Sequence, residues 1–104
     1  MNTIATTYSD QQLRILIEEF IAMQRSVFTF KGVCSYILYR AMEEGRTANN
    51  GIYESNQLEQ KDSESVNSIL GKIVGEGRII IDADKTNTFE NDTLFVKKEN
   101  IWLY

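Results

Sequence analysis

The sequence predicts an α+β domain in which three helices are followed by a C-terminal β-hairpin. Apolar residues recur at helical spacing in three separate stretches, glycines close the second and the third, and β-branched and aromatic runs come after the last of them. No proline, internal repeat or linker-like stretch divides the chain, so residues 1–104 read as a single domain.

Each element has its own local cause. Ser9 is placed to cap the first helix, Gln12 three residues on completes a capping box, and Tyr8 and Leu13 flank them in the staple positions. Leu13, Leu16, Ile17, Phe20 and Ile21 then share one face, which predicts a helix over 10–24. The stretch SVFTF, residues 26–30, favours a short strand, and Thr29 is placed to cap a second helix. Phe30, Val33, Cys34, Ile37, Leu38 and Ala41 form the apolar stripe of that helix, which ends near Glu44 with Gly45 just past the C-cap. Tyr36, Tyr39 and Arg40 fall off this stripe and are expected to be partly exposed or to line a second contact.

Residues 46–60 are polar and aperiodic, with a turn signal at Asn49-Asn50-Gly51 and at most one short strand at Gly51-Ile52-Tyr53. A connection this long is unusual in a small domain, and partner contacts are expected there second only to the third helix. That helix is expected to begin at Asp62 or Ser63, both good caps, and to bury Val66, Ile69, Leu70, Ile73 and Val74 before Gly75 and Gly77 stop it. Arg78 to Ala83 reads as a strand, residues 82–92 as a turn-rich excursion, and Thr93 to Val96 as the returning strand. Ile101 to Tyr104 reads as a last strand or strand end, and its apolar character suggests docking on the domain or on a second copy, for which a two-fold homodimer is the expected assembly.

Composition excludes most chemistry. A hydrophobic share of 42% with 25% charged residues over 104 positions describes a globular chain able to bury a core without staples. No apolar run approaches the roughly 20 residues that cross a bilayer, and no basic segment leads into an apolar one at the N-terminus, so a cytoplasmic protein with no membrane partner is expected. Cys34, the single cysteine, lies inside an apolar stripe and reads as a small core residue rather than a reactive thiol. The absence of histidine removes the usual general base and the usual zinc ligand. With no glycine-rich phosphate loop and no nucleophile–base pair, neither enzymatic activity nor a cofactor is expected.

Two acidic features bear on metal and acid–base chemistry. From Asp82 to Thr93, oxygen-bearing side chains alternate in the manner of a calcium loop, but Asn87 stands in the glycine position and Thr93 in place of the bidentate glutamate, so no metal is expected. The neighbouring pairs Glu18-Glu19 and Glu43-Glu44 diverge by about 100 degrees around a helix and read as solubilising groups rather than an acid–base pair.

Helix, short strand, helix, helix and then a hairpin is the element order of the winged helix-turn-helix fold. The stretch SVNSILGKIVGEGRIII, residues 65–81, resembles the segment that joins the third helix of such domains to the wing. The resemblance implies a three-helix winged helix-like domain whose third helix enters the major groove of double-stranded DNA while the wing rests on the backbone. On that basis Lys61, Ser65, Ser68 and Lys72, aligned at steps of four, three and four, form the reading line, with Asn67 on its flank and Lys85 at the wing. The first functional expectation is therefore a small DNA-binding transcriptional regulator. The alternative is a winged helix-like protein-interaction module without DNA binding. A net charge of −4 from 11 basic and 15 acidic residues and an acidic wing with Asp82, Asp84, Glu90 and Asp92 against Lys85 favour the latter, and the reading line itself lacks the arginine, asparagine or glutamine that makes bidentate base contacts.

Overall fold

The first two helices lie where capping and periodicity predict them. The computed structural model describes residues 4–47, 57–81 and 93–97. Helix α1 spans Asp10–Met23, strand β1 Val27–Thr29, helix α2 Phe30–Glu44, helix α3 Gln60–Gly75, strand β2 Ile79–Ile81 and strand β3 Leu94–Lys97. The Ser9 hydroxyl accepts from the Gln12 amide at 3.2 Å and the Gln12 side chain accepts from the Ser9 amide at 2.9 Å, which is the reciprocal capping box. Thr29 caps α2 through Gly32 at 3.0 Å. Gly45 ends α2 with φ at +69°, a left-handed conformation that costs a residue with a Cβ far more.

The three strands form one antiparallel sheet in the order β1-β3-β2. The fold is therefore α+β, with three helices and a sheet whose last two strands are consecutive antiparallel neighbours, compatible with a small helical domain carrying a β-wing. The early strand β1 completes the sheet: Phe28 pairs with Phe95 in register, and the two rings stack at 5.2 Å with 15° between their planes. Phe28, Phe95 and Ile81 share the core face, while Val27, Val96 and Ile80 form an apolar row across the outer face. Leu13, Ile17, Ile21, Val33, Ile37, Val66, Leu70 and Ile73 meet Phe95 in one buried cluster beneath the sheet. Among the described residues no helix is long and apolar enough to cross a membrane.

The start of α3 departs from expectation. Its N-cap is Glu59, which makes no side-chain capping bond, and Asp62 and Ser63 lie inside the first turn. Asp62 is drawn elsewhere: it is 2% exposed and accepts the Thr6 amide at 2.8 Å. A buried carboxylate is stable only with such partners, so Asp62 holds the N-terminal segment rather than capping its own helix. That segment forms a parallel bridge from Ile4 to Leu58 and an antiparallel bridge from Thr6 to Thr47. Residues 47 and 57–59 are thus tied to the domain, although residues 46–60 carry no period. Val74, expected in the core, is half-buried against its edge, and α1 ends at Met23 with Gln24 as its C-cap. The strands begin one residue later than predicted, at Ile79 and Leu94. Residues 51–53, 82–92 and 101–104, for which the sequence predicts a strand, a loop and a terminal strand, lie outside the described residues.

The Thr6 hydroxyl is buried without a hydrogen-bond partner. Replacing it with a methyl group removes a desolvation cost, so Thr6→Val should stabilise the domain by about 1 kcal/mol, whereas Asp62→Ala should destabilise it by about 1–3 kcal/mol. Urea midpoints at unchanged slope check both. A loss of stability in Thr6→Val would mean that the hydroxyl is satisfied.

Candidate recognition groove

The predicted reading line does not project from α3 as one set. Lys61 turns back onto the domain, its Nζ donating to the Thr6 carbonyl and to Asp62 Oδ1, both at 3.2 Å. The Ser65 hydroxyl donates to the Lys61 carbonyl one turn earlier at 3.1 Å, which occupies its only hydrogen. Asn67 is half-buried on the flank, and Ser68 and Lys72 are exposed. Ser65, Ser68 and Lys72 line a groove of about 630 Å³ whose other wall is α1, while Lys61 and Asn67 do not line it. Lys85 lies outside the described residues, as do Asp82, Asp84, Glu90 and Asp92.

Two contacts order the groove. Asp62, near the start of α3, holds Thr6 just ahead of α1, and Glu76, just past α3, accepts at both carboxylate oxygens from Arg14 Nη2 at 2.9 Å. The Ser65 end of α3 therefore lies toward the start of α1, and the Lys72 end toward its middle. The apolar lining is Ile69, buried in the core, and Ile15, which is 53% exposed on α1. Ile15 falls off the stripe that buries Leu13, Leu16 and Ile17, and that misplacement is the sequence signal for a second surface on α1.

Most charge on the α1 wall is already committed. Arg78 forms a two-pronged pair with Glu18, one prong at 2.7 Å, and approaches Glu76 at 3.4 Å. Arg14 reaches Glu18 at 3.3 Å as well as Glu76. Toward α2, Glu19 at the groove's edge accepts from Arg40 at 2.7 Å and from Tyr36 at 3.2 Å, and Arg40 also holds Glu44 at 2.7 Å. Glu44 in turn accepts from Tyr8, whose hydroxyl is pushed up to about 12 by burial and then by that bond. Glu18 and Glu19 thus diverge to different partners, as their spacing requires. Their role, and that of Glu44, is to join helices as well as to solubilise them.

One further expectation concerns a reactive group. Cys34 packs against the core, and burial pushes its thiol up to about 12, far from the range of a thiolate nucleophile. No group of three or more potential metal ligands occurs among the described residues. The chain matches no known family, and no curated protein or solved structure matches it either.

Glu18 is held below its ordinary value of 4.5 first by the Arg78 hydrogen bond, against the opposing effect of burial, and then by the charges of Arg78 and Arg14. A depressed folded-state pKa stabilises above the unfolded value and loses that contribution as pH falls through the folded one. Glu18→Gln should therefore lower stability at neutral pH and flatten the acid limb of the stability profile below about pH 4.5. An acid limb identical to that of the unaltered protein would show that the pair contributes nothing.

Proposed function

We propose that this chain is a winged helix-like protein-interaction module that receives a partner in the groove between α1 and α3. The observation that carries this is the setting of the predicted reading line: its serines and Lys72 form one wall of a groove lined by exposed Ile15, with carboxylates on the opposite wall. Such a surface desolvates an apolar side chain favourably and repels a phosphate backbone. The element order, with β1 joining the two hairpin strands, supports the winged helix-like description.

DNA binding, the first expectation, draws less support. Among the described candidates Lys72 alone offers an ammonium without a protein partner, because Lys61 is bonded to Thr6 and Asp62. Affinity for duplex DNA grows with the number of phosphates neutralised, at a salt slope of about −0.9 each, and a single lysine gives little. A cytoplasmic setting accords with the free thiol of Cys34, half-buried against the core.

Replacing Ser68 with a photo-crosslinking amino acid in the native cell should give a discrete crosslinked protein that is lost when Ile15→Asp is added. Duplex DNA should show no binding at low ionic strength. Binding to DNA with a salt slope that flattens in Lys72→Glu would replace this function with DNA recognition.

A further inference from the structure

We infer that the groove takes an amphipathic helix carrying, on one face and one turn apart, a basic residue, an apolar anchor and an acidic residue. This rests on the protein-interaction function and specifies its partner. Among the described residues, the charged groups that face the groove are Asp10, Arg14, Glu18 and Glu19 from α1 and Lys72 from α3. Arg14 is paired with Glu18 and Glu76, Glu18 with Arg78, and Glu19 with Arg40. Asp10 and Lys72 are left, and they stand at opposite ends of the cleft: Asp10 opens α1, on the Ser65 side, and Lys72 lies in the last turn of α3. Ile15 and Ile69 supply the apolar surface.

The length fits the same occupant. Ser65 to Lys72 is seven residue steps of helix, roughly 10 Å at a rise of 1.5 Å per residue, or two helical turns. Side chains at i, i+4 and i+7 of a partner helix cover that span on one face. The basic side chain meets Asp10, the apolar one enters beside Ile15, and the acidic one meets Lys72. A helix can lie in either direction, so the pairing fixes the composition of the ends rather than their order in the partner chain.

Three fluorescent alanine-based helical peptides of about 16 residues, long enough to hold helix in water, serve as probes, with Lys–Leu–Glu, Lys–Leu–Lys or Glu–Leu–Glu at those positions. Fluorescence anisotropy at low ionic strength should rank Lys–Leu–Glu tightest by about threefold to fivefold, the scale of one partly exposed ion pair. In Asp10→Lys the Glu–Leu–Glu peptide should become the tightest, and in Lys72→Glu the Lys–Leu–Lys peptide should. Both positions are exposed, circular dichroism confirms folding, and the neutral variants Asp10→Asn and Lys72→Gln should flatten the ranking. Equal affinities for all three peptides, no binding by any, or a ranking unmoved by either reversal would overturn this partner assignment. A crosslink at position 68 together with any of those results would preserve the broader function and remove only the helix; DNA binding that depends on Lys72 would remove both.

Discussion

The cluster formed by Arg14, Glu18, Glu76 and Arg78 is the interaction on which the rest of the arrangement depends. It ties the middle of α1 to the exit of α3 and to the residue that leads into β2, so helices and sheet are fixed at one junction. A two-pronged arginine–carboxylate pair is directional as well as attractive, and it sets the level at which α3 lies along α1. The same cluster decides the surface. Arg14 and Arg78, which a phosphate backbone would otherwise attract, are held by the domain's own carboxylates. Among the described residues, what remains open beside α3 is an apolar cleft with Asp10 at one end and Lys72 at the other.

The second constraint is the central position of β3. It lies between a strand from the first third of the chain and one that directly succeeds α3, so no strand pair in the sheet is complete without it. Phe95 carries the core from its middle, and Lys97 closes its end by donating from Nζ to the Gln24 carbonyl at 2.6 Å. Burial lowers the pKa of that lysine and leaves its stem packed beside the turn after α1. Sheet closure thus holds the C-terminal end of α1 from one side while the arginine–carboxylate cluster holds its middle from the other.

Much of this is legible in the sequence where the signal is local. The Ser9–Gln12 capping box, the Thr29 cap, the Gly45 stop and the two apolar stripes act within a few residues, and α1 and α2 conform to them within one position. The departures share a different cause. Asp62 has the chemistry of a cap, but a backbone amide 56 residues away claims it, and no spacing rule reveals that. Ile4 and Leu58 are isolated apolar residues in polar stretches, and only tertiary pairing makes them core. At the site, spacing alone puts the line from Lys61 to Lys72 on one helical face. Its neighbour is not visible that way: the α1 wall comes from residues some 50 positions earlier, and only exposed Ile15, out of step with its stripe, hints at it.

The electrostatic consequence comes from the fold rather than from composition. A net charge of −4 permits a local basic face, and here Arg14 and Arg78, the arginines beside α3 among the described residues, are each paired with a glutamate. The most direct measurement is a double-mutant cycle on the pair that anchors this pattern, Glu18→Gln, Arg78→Gln and both together, read as unfolding free energies. Mutual commitment of the two side chains predicts a coupling of about 1 kcal/mol or more. A coupling indistinguishable from zero would contradict it.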